Sequence, residues 1–487
     1  MAEAALELAL TPGATRALLR HPAIATRARG RAIALSFHGS ADGALGEAGL
    51  AVVVETRGRG GAVQRLVRSM PAEDGPWRPG APMPVLAETP LAGDYPDLAA
   101  LAGAHGLGEG LQPQGLAAFS GRSLQLVTPA GVTLTLLAGS LRAVSAEREV
   151  ARVTLEGEER AVFQLATSLA TALPLAVPAT SLAEEARGLA QGKAPRPLRL
   201  GAPSIPREAT AAEALSIIVS HLTLAMLANA PAAHAGETPE GTHQTRVALR
   251  RLRSALSLFK HIAGAEGAAA SAGLKALASC LGPARDWDVF IGGRLAEIRR
   301  AFPEDGRIAE LEVAARARRD AAYVALRAAL EAPGFRLLGL SLAALAAAPP
   351  AAEEPAARFA VRALNRRLKR VLRHGEDLSP LPVAELHRLR LDAKRLRYAG
   401  EMFAPLFGRK KVRRFLAALA SVQEELGHLN DIVVAAGLLG QIATPGEDGA
   451  FAAGVAEGWI AAKADGAREA AFTAWERFLG REVFWDG

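Results

Sequence analysis

One pattern of histidine and basic residues occurs twice in the chain, and it restricts the possible fold more than any other feature. The two copies begin at His243 and His387, 144 residues apart, and in each the histidine is followed by cations at positions +3, +7, +8 and +10. At 100° per residue, the +3, +7 and +10 positions fall within about 80° of the histidine on a helical wheel. If helical, each segment therefore carries a histidine and three cations in one stripe, with the +8 cation to its side.

The basic stripes lack the acids that would relieve their repulsion. Like charges at i, i+4 spacing on a helix repel each other by about 0.2–0.5 kcal/mol per pair. The segment His243–Lys260 contains no acid, and His387–Arg397 contains only Asp392. Residues 358–414 hold 17 Lys/Arg against 5 Asp/Glu, so their net charge of +12 leaves −5 for the rest of a chain whose total is +7. This localised charge indicates a surface that binds a polyanion.

A second motif repeats at nearly the same offset and indicates an internal duplication. The sequence Leu-Gly-Pro-Ala-Arg-Asp at 281–286 recurs as Leu-Gly-His-Leu-Asn-Asp at 426–431, 145 residues later. We interpret each as a turn after a basic helix, with Asp286 and Asp431 capping the next helix or pairing with an arginine of the stripes. Apolar residues at 3–4 spacing from residue 208 onward predict helices throughout, so each copy is expected to be a helical bundle of about 140 residues.

The N-terminal part has strand-like patterns instead. Short β-branched or alternating runs predict strands, and a helix is predicted at Ala161–Leu173. A proline-rich linker follows at Lys193–Pro206. We therefore predict one domain at 1–195 and another at 207–487, the latter with repeats at about 207–345 and 355–487. The strand runs lie at Ala32–Phe37, Leu50–Glu55, Leu124–Val127 and Val132–Leu137.

The duplicated basic helix and the Leu-Gly motif after each copy closely resemble the CHAD family (conserved histidine α-helical domain), over residues 207–487. The resemblance implies two four-helix bundles related by pseudo-twofold symmetry around a basic groove that binds inorganic polyphosphate, and it implies targeting to polyphosphate granules. The groove residues implied in this way are His243, Arg246, Arg250, Arg251, Arg253, His387, Arg390, Lys394, Arg395 and Arg397.

Two further groups of cations extend the predicted polyphosphate site. Four basic residues share one face of a predicted helix, and another cluster follows the second motif at the expected rim of the groove. The first group is Arg362, Arg366, Lys369 and Arg373, with Arg367 and Arg370 near it, and the second is Lys410, Lys411, Arg413 and Arg414.

The N-terminal part is similar in position to a degenerate CYTH domain, a β-barrel tunnel that binds triphosphates and often precedes a CHAD domain. That family opens with Glu-x-Glu-x-Lys, and the strand Ala5-Leu-Glu7-Leu-Ala9 retains only the middle acid. The family's turn corresponds to Ser36–Gly39, and its Leu-x-Val-Arg strand to Leu50–Glu55. The expected fold class is α+β multidomain, with a β-barrel-like CYTH-like domain followed by an all-α domain of two such bundles.

Three other functions compete with polyphosphate binding. Each motif histidine shares its face with three cations, which disfavours a metal ion, so we expect neither a metal nor a cofactor. A metal-dependent triphosphatase in the N-terminal domain is opposed by the alanines at positions 5 and 9, so we expect no catalytic residue and no enzyme. Nucleic acid is disfavoured as a partner because the basic helices offer few aromatic residues for stacking. Nucleic-acid binding by the basic helices nevertheless remains an alternative function.

The remaining sequence features bear on the compartment. Cys280 is the only cysteine, so the chain cannot form an intramolecular disulfide. The first residues lack a basic segment followed by an apolar one, and the longest apolar run, at Leu337–Ala348, is too short to span a bilayer. We expect a cytoplasmic protein that does not bind a membrane.

Overall fold

The protein is described by a computed structural model over residues 3–24, 29–56, 61–71, 77–102, 111–193, 199, 201–375, 377–378, 381–442, 446–462 and 466–486. It forms two compact units. The first comprises residues 1–200, 219–248 and 331–348, and the second comprises residues 201–218, 249–330 and 349–487. Residues 194–198 and 200 of the linker predicted at Lys193–Pro206 lie outside the described residues, and the domain boundaries at 195 and 207 remain predictions.

The first unit contains an antiparallel sheet of nine described strands. Their order across the sheet is β5-β4-β3-β2-β6-β7-β8-β1-β9, and all neighbouring pairs are antiparallel. The strands are β1 (Glu3–Leu10), β2 (Arg29–Ser40), β3 (Leu50–Thr56), β4 (Ala62–Arg68), β5 (Val85–Pro90), β6 (Pro113–Val127), β7 (Thr133–Arg142), β8 (Glu147–Glu158) and β9 (Leu175–Ala176). The N-terminal β-rich region is thus consistent with the predicted CYTH-like domain.

Short helices cover the two apolar sides of this sheet. They are α1 (Thr15–Leu19), α2 (Ala44–Glu47), α3 (Leu98–Ala102), α4 (Glu159–Ala172) and α5 (Leu182–Ala190). One core cluster joins Phe37 and Phe119 of the sheet to α5, and another joins β3 and β4 to α2 and α3. Helix α4 begins where the Glu158 carboxylate accepts a hydrogen bond from the Ala161 amide, which satisfies one of the free N–H groups at the helix start.

Most of the sequence predictions for this region are confirmed. The four strand runs fall in β2, β3, β6 and β7, and the predicted helix is α4. The turn predicted at Ser36–Gly39 is wrong, because these residues continue β2. The pairing of β2 with β6 shifts register between Phe37 and His38, which is a bulge that leaves β2 continuous through Ser40.

The described residues from 211 onward are mainly helical, as predicted. The helices are α6 (Ala211–Ala235), α7 (Pro239–Leu258), α8 (Lys260–Phe290), α9 (Ala296–Ala301), α10 (Gly306–Glu331), α11 (Pro333–Ala347), α12 (Ala356–Leu372), α13 (Val383–Phe403), α14 (Arg409–Leu439), α15 (Glu447–Ala462) and α16 (Ala467–Leu479). A single π-helical turn at Ile291–Leu295 joins α8 to α9. In the first unit, α11 packs against α4 and β9.

The order of these helices supports an internal duplication. Helices α6, α7, α8, α10 and α11 correspond in order to α12, α13, α14, α15 and α16. Helix α8 is broken at Gly264, where φ is +58°. The longer part of α8 begins at this break, which precedes the start of α14 at Arg409 by the same offset that separates the two Leu-Gly motifs. The two basic motifs occupy equivalent positions in α7 and α13.

The turns predicted at the Leu-Gly motifs are wrong. Residues 281–286 lie inside α8, and residues 426–431 lie inside α14. Pro283 removes one helical hydrogen bond and normally disfavours a helix interior. The helix nevertheless continues, because Leu281, Ala284 and Trp287 are all buried on its apolar side. Asp286 and Asp431 therefore lie within helices and do not cap them.

The core of the second unit brings together helices that are far apart in sequence. Trp287 and Phe290 of α8 and Ile308 of α10 pack with Leu438 of α14 and Ile460 of α15. Phe259, after α7, stacks on Phe359 of α12 with ring centroids 4.5 Å apart.

Helix α6 is the one helix in the described ranges that is long and apolar enough to cross a membrane. Of the most apolar stretch of α6, 78% is buried inside the structure.

Candidate functional site

The two basic motifs lie on helices, as predicted, and their ends come together. Both α7 after residue 248 and the whole of α13 belong to the second unit. Arg250 donates a hydrogen bond to the Tyr398 hydroxyl, and its guanidinium carbon lies 5.5 Å from the centre of that ring. The C-terminal half of the first motif is thus in direct contact with the end of the second.

A single carboxylate joins arginines from both copies. Glu401 accepts a hydrogen bond from Arg251 Nη2 at 2.8 Å and forms an ion pair with Arg397 Nε at 3.2 Å. Arg251 is the +8 cation of the first motif, and Arg397 is the +10 cation of the second. Sequence reasoning missed Glu401 and Tyr398 as site residues. The signal that was available is an acid four residues after Arg397, the spacing of a helical ion pair.

Buried donor groups remain in this cluster. The Nε atoms of Arg251 and Arg397 are buried, and neither makes a hydrogen bond to any residue in the described ranges. Arg397 Nε lies near Glu401 without satisfactory hydrogen-bond geometry. Because a buried N–H without an acceptor costs about 1–3 kcal/mol, these atoms favour an incoming anion.

Within the second copy, the basic motif on α13 contacts the Leu-Gly motif on α14. His387 Nδ1 lies 3.0 Å from Asn430 Oδ1, which fits an imidazole that donates its Nδ1–H. Arg390 Nη2 lies 3.8 Å from Asp431 Oδ1. The second interpretation of Asp431, pairing with an arginine of the stripe, is therefore confirmed. The Leu-Gly motif thus contacts the histidine and the +3 arginine of the second basic motif, and it does so from within a helix.

A second group of cations lies between α12 and α13. Arg367 is 7% exposed and donates to the Ser257 hydroxyl at 3.0 Å. Burial, together with the neighbouring charges of Arg370 and Arg395, lowers the pKa of Arg367 to about 10. Asp392, the only acid of the motif segment, pairs with Arg395 at 3.1 Å. The lowered pKa of Arg367 thus reflects burial first, and the neighbouring arginines add to the effect.

The structure distributes the other predicted residues over several surfaces. His243 and Arg246 belong to the first unit, so a single groove that contains all the motif residues remains a prediction. Arg362 pairs with Glu354. Lys411 lines a pocket with Arg207 and Phe407, and Arg414 lines a different one. Exposed positions are occupied by Arg366, Lys369, Arg373 and Lys410, while Arg253 and Lys394 are half-buried.

In the first unit, Glu7 is engaged in a structural ion network. It faces the side of β1 opposite Leu6 and Leu8, and it lies 3.4 Å from Arg152, which also pairs with Glu185 at 2.5 Å. Burial raises the pKa of Glu7, against the effect of Arg152. Sequence reasoning treated Glu7 as the remaining acid of a degenerate motif and missed its partner Arg152. No group of three or more metal-ligating side chains occurs within the described residues.

Comparison with known proteins points to one family for the helical half. Residues 217–440 match the CHAD domain family. The chain is similar to the CHAD domain from the plant Ricinus communis, with 31% identity over 59% of this chain and 98% of that chain, and a TM-score of 0.51. It is also similar to PptA from Streptomyces chartreusis, with 21% identity over 55% of this chain and 100% of that one, and a TM-score of 0.43.

A third similarity is to HpAC1 from Hippeastrum, a protein described as having a dominant triphosphatase activity. Here the identity is 15% over 40% of this chain and 97% of that chain, with a TM-score of 0.30. No curated protein matches the chain.

Proposed function

Because the chain belongs to the CHAD family, we propose that it binds inorganic polyphosphate through the cations of α7 and α13, without cleaving it. The observation that carries the proposal is the cluster around Glu401. There Arg251 of the first repeat and Arg397 of the second converge on one carboxylate, and each keeps a buried Nε–H without an acceptor. The side chains of Arg251 and Arg397 are 28% and 29% exposed, so phosphate oxygens can approach the exposed part of each guanidinium group.

The chemistry of the cluster suits a linear chain of phosphates. A guanidinium can donate two parallel hydrogen bonds to a phosphate group, and such charge-assisted bonds are shorter and stronger than neutral ones. Polyphosphate carries about one negative charge per phosphate unit, so neighbouring units can engage successive arginines along the two helices. Release of the counterions that surround both molecules should make the binding strongly dependent on salt.

Titration of long-chain polyphosphate into the full chain tests this proposal. At a salt concentration of about 150 mM, which screens loose surface attraction, we expect a submicromolar dissociation constant by calorimetry. A single-stranded DNA of equal total charge is expected to compete at least about tenfold less well, because the helices offer few rings for base stacking. Millimolar binding would refute the proposal, and equal competition by DNA would favour the nucleic-acid alternative.

We also propose that the N-terminal domain lacks triphosphatase activity. The sequence and contacts of β1 support this proposal. Ala5 and Ala9 stand where the CYTH family has ligand-bearing residues, and Glu7 forms an ion pair with Arg152. A catalytic Mg²⁺ requires several oxygen ligands, and one paired acid provides few.

A phosphate-release assay on the full chain checks this point. With tripolyphosphate and either Mg²⁺ or Mn²⁺, we expect no release above that of the protein treated with a chelator. Metal-dependent release that disappears in a Glu7→Gln variant would contradict the proposal and would restore the enzymatic alternative. The same assay on the Arg250→Glu variant serves as a control, because Arg250 lies outside the N-terminal sheet.

A further inference from the structure

Helices α14 and α16 line a second basic pocket that is open to solvent, apart from the motif faces of α7 and α13. It has a volume of about 330 Å³ and is lined by Arg414, Ala417, Ala418 and Ser421 of α14, by Ala474 and Arg477 of α16, and by Arg481 just after α16. The α14 residues have the spacing i, i+3, i+4, i+7 of one helix face, and those of the other wall have the spacing i, i+3, i+7. The pocket therefore lies between two facing helix surfaces in the second unit.

This pocket lies on a different side of α14 from the residues that meet the second basic motif. Gln423 donates to the Ala393 carbonyl of α13, and Asn430 contacts His387. At 100° per residue, these two side chains lie about 160–180° around α14 from Arg414. An anion held by Arg414 in this pocket would therefore be bound separately from one held along α13.

The charge in the pocket is uncompensated. Its lining contains three arginines and no acid. Within the described residues, none of these three arginines pairs with a carboxylate. By contrast, Arg299 and Arg316 elsewhere in the second unit share Glu312. The three alanines keep the floor free of long side chains, so the space between the guanidinium groups stays open. Three cations around an open space favour an anion with several negative charges.

We propose that this pocket binds a short inorganic phosphate chain, with pyrophosphate as the smallest member of the class. The guanidinium groups provide forks for phosphate oxygens, and the Ser421 hydroxyl provides one further donor. Among the described residues that line the pocket none is aromatic, so they offer no ring to stack on the base of a nucleotide. Its volume, at the lower end of the range for small-molecule sites, exceeds what a single carboxylate fills.

The affinity test separates this pocket from the proposed polyphosphate site. Pyrophosphate, without divalent metal, is titrated into the full chain that carries Arg250→Glu, Arg253→Glu, Lys394→Glu and Arg397→Glu. In that background we expect one equivalent of pyrophosphate to bind, and the further change Arg477→Ala/Arg481→Ala to weaken it about 10- to 100-fold. The charge-matched control is Arg122→Ala/Arg160→Ala, two exposed arginines of the first unit, which should leave the affinity unchanged.

A local readout keeps the test decisive if binding occurs elsewhere as well. In a Cys280→Ser background, Ser421→Cys places the only thiol in the pocket, and pyrophosphate is expected to slow its reaction with a maleimide at least about fivefold. The proposal fails if the thiol reacts equally fast with and without pyrophosphate. It also fails if both alanine pairs weaken binding equally, since that would indicate general charge attraction. Because the proposal does not depend on polyphosphate binding at α7 and α13, either can fail alone.

Discussion

Reversing Arg250, Arg253, Lys394 and Arg397 to glutamate is expected to weaken the binding of long-chain polyphosphate by the full chain at least about 1000-fold. Each lost charge-assisted contact contributes about 1 kcal/mol net, and four of them account for about three orders of magnitude. Four new carboxylates add repulsion. Calorimetry at constant salt measures the change directly.

The salt dependence gives a second, independent measure of the same variant. The logarithm of the binding constant should fall with the logarithm of salt concentration, with a slope reduced by roughly 0.7–0.9 for each phosphate contact removed. If the slope stays that of the wild type while the affinity falls, the four residues do not contact phosphate and the loss has another cause.

Two control variants isolate the role of these positions. The first control makes the same change in net charge at exposed positions of the first unit, and it should lower the affinity less than about tenfold; it is Arg16→Glu/Arg20→Glu/Arg122→Glu/Arg160→Glu.

The second control addresses packing, because Arg250 contacts Tyr398 and Arg397 contacts Glu401, and charge reversal at these positions disturbs those contacts as well. The corresponding four glutamine substitutions avoid the repulsion and should still lower the affinity about 1000-fold through the lost contacts alone. An equal loss in the first control would show that only total charge matters.

The positions of the basic helices could be predicted from sequence, because helical periodicity is a local property. The spacing after His243 and His387 places the cations on one face whatever the tertiary contacts are. The length of α8 and α14 could not be obtained in this way. Local rules read Gly282 and Pro283 as a turn, yet burial of the neighbouring apolar residues overrides them. Asn430 and Asp431 likewise lie inside a helix, α14, where a turn was predicted.

The contacts that complete the candidate site were beyond local reasoning. Arg251 and Glu401 are 150 residues apart, and their pairing depends on how α7 packs against α13. Arg414 was assigned to the rim of a groove because it follows the second motif in sequence. Its place beside Arg477 depends instead on the packing of α14 against α16, which the charge pattern does not encode.

Replacing Asp288 with alanine is expected to destabilise the second unit by about 3 kcal/mol. The side chain of Asp288 is 1% exposed, and it accepts hydrogen bonds from Arg319 Nε and from the Tyr323 hydroxyl, both at 2.7 Å. The Arg319 guanidinium also lies over the Tyr323 ring, at 4.3 Å from its centre. Alanine would remove the one carboxylate shared by these two groups. The Arg319 guanidinium is 23% exposed, so hydrogen bonds to water replace part of the one it loses. The buried Tyr323 hydroxyl has less access to water and regains less hydrogen-bond energy.

Thermal unfolding of the full chain, followed by helical circular dichroism, measures this effect. For a unit of this size, a loss of about 3 kcal/mol corresponds to a decrease in Tm of roughly 6–12 °C. Asp320→Ala is the matched control, since Asp320 lies 3.6 Å from the same Arg319 but is 74% exposed, so its removal should cost less than about 0.5 kcal/mol. Asp288→Asn should fall between the two, because the amide keeps an acceptor for Tyr323 while losing the charge that Arg319 requires. Equal Tm values for Asp288→Ala and Asp320→Ala would mean that the buried carboxylate does not hold α8 to α10. The packing of those helices would then rest on Trp287 and its apolar neighbours alone.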